Sequence, residues 1–480
     1  MTDYLDTPNP LKILVALPER APAPIKAIFK ISPEKASVGQ PGKLPGEVVL
    51  ISSENGYTVI VSVGLQSKLS AETFRQTGGG LARWLKQTNT PAIDIELAGL
   101  DDFGVTEALS ALCEGLFLGS FQFNRRKSKT DPDVDTQVVL RGPKNTAQAE
   151  EKVAHAQMLT SAVNMARDWS HEPPNVINPI TLAERAGTVA ATYGLKCTVL
   201  DDKKLAEMKA GAILSVGKGS HTPSRMIILE YPGHNPPKGT KPVVLIGKAI
   251  TFDTGGYSLK SSENIQGMKY DKCGGLAVIA ALRAAAELQL TGPVIGIVAA
   301  AENKIAGGSY LPDDIITTLS GITVEIISTD AEGRLVLADA LTYAQKNFAP
   351  KAMIDLATLT GGVVVALGHV RAGMMTNNPD LAQQLMQSGD RTYERLWQLP
   401  LDEEYGKLIK SKDADIKNAG GREAHSIMGG MFLKEFVSEE IPWAHLDIAG
   451  MADTAKELPY CPEGGTGFGV RLLVDYLENL

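Results

Sequence analysis

Short apolar runs and helical periodicities alternate along the whole chain. In the first third, Leu11–Leu17, Glu47–Ile51, Thr58–Val63, Ala92–Ala98 and Thr136–Leu140 read as strands, and the amphipathic stretches at about 69–87 and 105–118 read as helices. A long helical pattern without turn signals follows from Thr146 to about Asp168, and then a loop that proline fixes, His171-Glu-Pro-Pro-Asn. Beyond it, near-continuous apolar runs at 226–230, 242–253, 293–301, 323–329, 352–359 and 442–450 alternate with helical segments at 181–193, 274–289 and 334–347. Strands without polar alternation are buried on both faces, so helices must cover the sheet on either side. The pattern predicts an α/β protein with a smaller N-terminal α/β domain over 1–145 and a connecting helix over 146–170. A larger C-terminal domain over 171–480 carries a mixed central sheet flanked by helices.

A chain of 480 residues has ample length for two cores. Its net charge of -8 gives no global footprint for nucleic acid. The one notable basic cluster, Arg125, Arg126, Lys127 and Lys129, lies in a charged, proline-containing loop, Asn124–Asp133, and reads as a solvated loop. A DNA-binding or scaffolding role is the competing hypothesis that this cluster leaves open. The four cysteines, Cys113, Cys197, Cys273 and Cys461, are far apart and form no C-x-x-C pair, which argues for a reducing, cytoplasmic setting. The acidic start, Met1–Pro8, lacks the basic and apolar regions of a signal peptide, and no apolar run is long enough to span a bilayer.

Several chemical motifs can be set aside. Gly247-Lys248 resembles the end of a phosphate loop, but Pro242 and Ala249 replace its first glycine and its hydroxyl residue. There is no Gly-x-Ser-x-Gly elbow and no His-Glu-x-x-His, and none of the seven histidines has a partner at helical ligand spacing. Carboxylates at strand ends are a different matter. Asp330 and Glu332 stand in Ser328-Thr-Asp-Ala-Glu-Gly-Arg334, where a β pattern gives way to a helix; Asp253 ends the apolar run 243–252 before Thr254-Gly-Gly; Asp271 precedes Gly274-Gly275. Each can be a separate cap or turn residue. Gathered in one cleft, they would repel one another strongly and divalent cations would relieve them. Lys248, inside an apolar strand, must pair with a carboxylate or lose its proton, in which form an amine binds metal. Lys260 follows Asp253 closely enough to reach back over the same place.

With these residues in view, the chain resembles the leucyl aminopeptidase (cytosol aminopeptidase) family of two-metal peptidases over about residues 165–480. The resemblance is carried by Gly247–Lys260, Met268–Asp271, Thr329–Asp339, Ala357–Gly361 and Trp443–Gly450. It implies a metal-dependent aminopeptidase that releases leucine and other apolar N-terminal residues from peptides. Lys248, Asp253, Asp271 and Glu332 would hold one divalent ion and Asp253, Asp330 and Glu332 the other (Zn, Mn or Mg). Lys260 would act as electrophile on the scissile carbonyl, and Arg334 with the backbone of Ala331, Gly333 and Leu359 would bind a bicarbonate serving as general base. Met268, Thr358, Gly361 and Met451 would line the first substrate pocket. A homohexamer acting on peptides in the cytoplasm, with no membrane or nucleic-acid partner, completes what the resemblance implies.

The chain departs from the family pattern at Ala249, Thr254, Lys272 and Ser328, in Glu302-Asn-Lys-Ile-Ala-Gly-Gly308, and in Arg422-Glu-Ala-His-Ser426, where a glycine-rich loop is usual. No implied ligand is altered. The departures leave room for a degenerate relative that binds metal without turnover, and they bear on substrate preference.

Overall fold

The computed structural model describes residues 11–15, 23, 25–31, 42–53, 56–97, 100, 103–129 and 135–480. The acidic start of the chain, residues 16–17 and 98 of the first strand readings, and residues 130–133 of the basic loop lie outside the described residues.

Two compact units emerge, one of residues 1–165 with 455–463 and one of residues 166–454 with 464–480. The first contains β1 (Leu11–Val15), β2 (Ile25–Lys30), β3 (Val48–Ser53), β4 (Gly56–Ser62), α1 (Ala71–Gln87), β5 (Ala92–Glu96), α2 (Ala108–Gly119), β6 (Thr136–Arg141) and most of α3 (Thr146–His171). Its sheet runs β1-β6-β5-β2-β4-β3, parallel except for the β3–β4 hairpin. Phe74, Leu81 and Leu85 from α1 and Leu112, Leu116 and Phe117 from α2 fill the core with Val59, Val61, Ile93 and Ile95 from the sheet.

The second unit continues with α4 (Pro179–Tyr193), β7 (Lys196–Leu200), α5 (Asp202–Glu207), α6 (Gly211–Gly217), β8 (Arg225–Tyr231), β9 (Val243–Asp253), α7 (Ser262–Ile265), α8 (Cys273–Glu287) and β10 (Val294–Asn303). Then come β11 (Ile315–Thr317), β12 (Thr323–Glu325), α9 (Gly333–Asn347), β13 (Ala352–Ala357), α10 (Gly361–Leu367), β14 (Ala372–Thr376), α11 (Pro379–Thr392) and β15 (Leu396–Gln398). The last elements are α12 (Glu403–Gly406), β16 (Ile416–Lys417), α13 (His425–Lys434), β17 (Trp443–Asp447), β18 (Asp453–Thr454), β19 (Gly464–Gly465) and α14 (Val470–Glu478).

Eight strands form the central sheet in the order β15-β14-β17-β13-β9-β10-β8-β7. The four in the middle, β17, β13, β9 and β10, are mutually parallel, and antiparallel partners flank them on both sides. All ten residues of β10 are buried, as are ten of eleven in β9, because helices cover both faces. Local chemistry sets the helix ends. Asn178 caps α4 by accepting the amides of Ile180 and Thr181, Pro179 sits where a missing N–H costs nothing, and Gly194 closes the helix in the left-handed region.

One expectation is corrected. The run 323–329 does not supply a strand of the central sheet; β12 stops at Glu325 and joins β11 and β16 in a small three-stranded sheet. The next amides, of Ile327 and Ser328, donate instead to the side-chain oxygen of Asn418, so a side chain rather than a strand takes up the backbone.

α9 is tied down by Asp339, which is fully buried and accepts the amides of Ile213 at 2.9 Å and Leu319 at 2.8 Å. Asp339→Ala orphans both donors in a dry interior and is expected to destabilise this unit by about 2–5 kcal/mol in denaturant titration. An unchanged midpoint would contradict that role.

Candidate active site

The carboxyl ends of the four parallel strands point to one place, the position where open α/β sheets bind ligands. β9 ends in Asp253 and β10 in Asn303; β13 runs into Thr358 and Leu359, and β17 ends in Asp447. The turn before α9 adds Asp330 and Glu332, and the turn before α8 adds Asp271.

Two ammonium groups organise these anions. Lys248 is buried in β9 and donates to Asp271 at 2.8 Å, to Glu332 at 2.9 Å and to the carbonyl of Thr358 at 2.8 Å, which uses all three of its N–H bonds. Its stem passes so close to Gly333 that a Cβ there would lie 2.7 Å from the amine, so a side chain at this position would have to displace Lys248 from its partners. Lys260 bridges Asp253, at 2.8 Å, and Asp330. Burial opposes the charge on both lysines, but Asp271 and Glu332 around Lys248, and Asp253 around Lys260, outweigh it and hold both amines above their ordinary range.

The carboxylates carry the converse strain. Burial, only partly offset by Lys248, pushes Asp271 up to about 6, and burial with the neighbouring Asp253 pushes Glu332 upward. One oxygen each of Asp253, Asp330 and Glu332 lies within 4.8 Å of the others. Asp271 keeps one carboxylate oxygen buried with no hydrogen-bond partner, while Thr358 donates to the other at 2.6 Å. Four carboxylates against two ammonium groups leave an excess of negative charge in a cleft that is buried at Asp253, Asp271 and Glu332 and open at Asp330, and oxygen donors of this kind suit divalent cations. The residues present therefore fit a metal centre.

Neutral side chains hold the anions in place. Asn303 donates to Asp253 at 2.8 Å and to the carbonyl of Thr329 at 3.0 Å, a carbonyl that also accepts from Tyr310. Thr329 fastens its own turn to the 255–258 loop, donating to Gly255 at 2.6 Å and accepting from Ser258 at 2.8 Å. Lys272, fully buried, donates to the carbonyls of Ser170, Glu172 and Lys269, and burial lowers its pKa to about 7.

Arg334 is buried beside the carboxylates and faces the ring of Phe432 at 5.9 Å. Its Nη1 donates to the carbonyl of Asn418 at 2.7 Å, while its Nε is buried without a partner. Burial lowers its pKa to about 10 against the pull of Glu332 and Asp447. The Leu359 amide donates to Asp447 at 3.1 Å and the Ala331 amide to Ser328 at 3.3 Å, so an anion at Arg334 has to share these donors. Gly333 opens α9 and Gly361 opens α10, while Met268 and Met451 are partly buried.

Sequence reasoning passed over Asn303, Thr329, Asn418 and Asp447. For Asn303 and Asp447 the signal was present, since each is a polar residue ending a buried parallel strand, as Asp253 is. Asn418 has no local signal; its partners are about ninety positions away.

A parallel-centred α/β sheet with a lysine-braced carboxylate cluster at its strand ends defines an α/β protein with a candidate divalent-metal site. Residues 164–474 match the profile described as "Cytosol aminopeptidase family, catalytic domain", and residues 43–130 that of its N-terminal domain. The chain belongs to the cytosol aminopeptidase family. A probable cytosol aminopeptidase of Geobacter sulfurreducens is 44% identical over 443 residues, spanning 91% of this chain and 86% of that protein. Its counterpart in Aquifex aeolicus is 39% identical over 474 residues, spanning 98% and 93%. The solved structure of the bottromycin maturation enzyme BotP in complex with Mn superposes with a TM-score of 0.86 at 33% identity, covering 95% of this chain and 99% of that one. Among the described residues no helix is long and apolar enough to cross a membrane.

Asn303→Ala removes one of the two neutral donors to Asp253, the Gly255 amide being the other, without touching a carboxylate. Manganese titration of the variant is expected to show a roughly 10–100-fold weaker affinity, the usual effect of losing a partner behind a ligand. Unchanged binding would leave Asn303 a purely structural residue.

Proposed function

We propose that the chain removes N-terminal residues, preferentially leucine and other apolar ones, from peptides, using Lys248, Asp253, Asp271, Asp330 and Glu332 to hold two divalent cations. The observation that carries this is the convergence of all five residues with Lys260 at one end of the sheet. When bound, the two ions would polarise the scissile carbonyl, anchor the free α-amine and make a water nucleophilic near neutral pH. Zinc, manganese or magnesium would suit these donors, and the manganese complex of BotP favours trying that ion first. Lys248 must release its proton to serve as a ligand, which couples loading to pH.

Lys260, bridging Asp253 and Asp330, is placed to donate to the carbonyl oxygen as it gains charge. Every carboxylate around it is engaged as a ligand, so the proton acceptor has to come from elsewhere. The buried, partly unpartnered guanidinium of Arg334 supports a bicarbonate held with the backbone of Ala331, Gly333 and Leu359 as that base. Met268, Met451 and the methyl of Thr358, with Gly361, would offer the side chain an adaptable apolar pocket. The family resemblance extends the proposal to a homohexamer in the reducing cytoplasm, with which the four free cysteines agree.

Glu332→Ala is expected to abolish hydrolysis of leucine amide and to lower bound metal, read by elemental analysis of the same preparation. Full activity in that variant would defeat the two-metal assignment. Arg334→Ala is expected to retain both ions but turn over more slowly, by roughly 100–10,000-fold for the loss of a positioned base, with no response to added bicarbonate. A preserved bicarbonate response would reject the base role.

A further inference from the structure

The first turn of α13 lies against the pocket of Arg334, and it carries a titratable group that the reaction described above does not use. Ala424, just before the helix, has φ +49, a left-handed backbone that glycine adopts without strain and alanine does not. Such strain persists where the surroundings impose it, often at working sites. His425 follows, half-buried, and packs directly on α10. A Cβ added to Gly362 would lie 2.8 Å from the His425 Cβ and 3.2 Å from its Nδ1. Ser426 shares a 3.0 Å hydrogen bond with Thr360, whose hydroxyl also serves Asp447 at 2.6 Å. One turn on, Gly429 sits where a Cβ would meet Leu359 at 2.8 Å and the Arg334 Nη2 at 3.6 Å. His425 and Ser426 thus cover the turn 359–362 from one side, and Gly429 of the same helix lies against Leu359 and the Arg334 guanidinium.

We propose that His425 forms a further wall of the anion pocket of Arg334, contacting the small planar oxyanion held there through its imidazole and coupling that anion's affinity to its own protonation. This rests on the anion-pocket assignment made above. Burial first, then the neighbouring Arg334, holds the imidazole below its ordinary pKa against the opposing pull of Asp447, so it is neutral at neutral pH. Neutral, it offers the bound anion a donor or a proton acceptor; protonated, it adds a positive charge. Affinity for the anion therefore rises as pH falls through the His425 pKa, and by linkage the anion raises that pKa.

Arg422 and Glu423, both exposed, shortly precede His425 in the chain. Arg334 comes from α9 and Asp447 from β17, and α10 and β14 contribute no titratable side chain. β17 also carries His445, buried and paired with Asp355 at 2.5 Å. Glu403 and Lys407 lie toward the far end of α13, beside Lys434 and Glu435.

Formate is a suitable probe, since it stays ionised from pH 8 to pH 5.5. Its binding to the full, zinc-loaded chain would be followed by calorimetry in two buffers of different ionisation enthalpy, which also counts protons. For one pKa unit of coupling, wild type is expected to gain several-fold, at most about tenfold, in affinity over that range relative to His425→Gly, and to take up a fraction of a proton on binding, at most about half, where the variant does not. His425→Asn, which keeps a donor but cannot titrate, is expected to match wild type near pH 8 and lose the gain at low pH. Parallel pH profiles and equal proton uptake in wild type and His425→Gly would overturn the proposal. Arg334→Ala separates the two layers: formate bound as tightly as in wild type would remove the anion pocket itself, whereas binding that needs Arg334 but ignores His425 would remove only this inference.

Discussion

Everything at the working end of the sheet depends on one electrostatic constraint, the burial of Lys248 in the middle of β9. An ammonium inside an apolar strand is tolerated only if the surroundings supply charge and acceptors together. Asp271, Glu332 and the Thr358 carbonyl do so, and they come from three different segments. Satisfying one lysine therefore pulls the turn before α8, the start of α9 and the end of β13 onto the end of β9. Lys260 repeats the device one layer out, drawing Asp330 to Asp253.

The sheet order makes this convergence achievable. Strands β9, β10 and β13, adjacent and parallel, end side by side, and their following turns need travel only a few residues to meet. The antiparallel strands stand outside them, where a reversed direction does not disturb the row of carboxyl ends. Asp339 acts at a distance in the same cause, because it anchors the helix whose first turn presents Glu332 and Arg334.

Much of this is legible in the chain. The runs that become β9, β10, β13 and β17 are mostly apolar, broken by few polar residues such as Lys248, Asp355 and His445, and the carboxylates that matter end them or sit in the next glycine-rich turn. Other parts are hidden for definite reasons. β2 is a six-residue strand flanked by Pro24 and Pro33, which mask it as loop. The helical signal of α13 is diluted by Gly429 and Gly430. The alternation at 323–329 promises a longer strand than forms, because Asn418 captures its last amides, and no local pattern reveals a partner so far along the chain. The metal-type cluster reads from residue types; of the groups that aim it, Asn303 reads as a polar strand end and the others only from contacts.

Those aiming groups share a property that follows from the chemistry. Asn303, Tyr310, Thr329, Thr358 and Asn418 are all neutral. Of these, only Asn303 and Thr358 touch a carboxylate of the cluster, Asp253 and Asp271 respectively, and there a neutral donor fixes the orientation without adding to the charge that Lys248 and Lys260 already supply. Asp447 is the exception that supports the rule. Its two oxygens accept from the amides of Leu359, Thr360 and Ala449 and from the Thr360 hydroxyl, so a carboxylate only one turn from the cluster has its acceptor capacity spent on shaping the backbone. It is thereby kept out of the donor set, and its remaining influence is the field it shares with Arg334, His425 and His445.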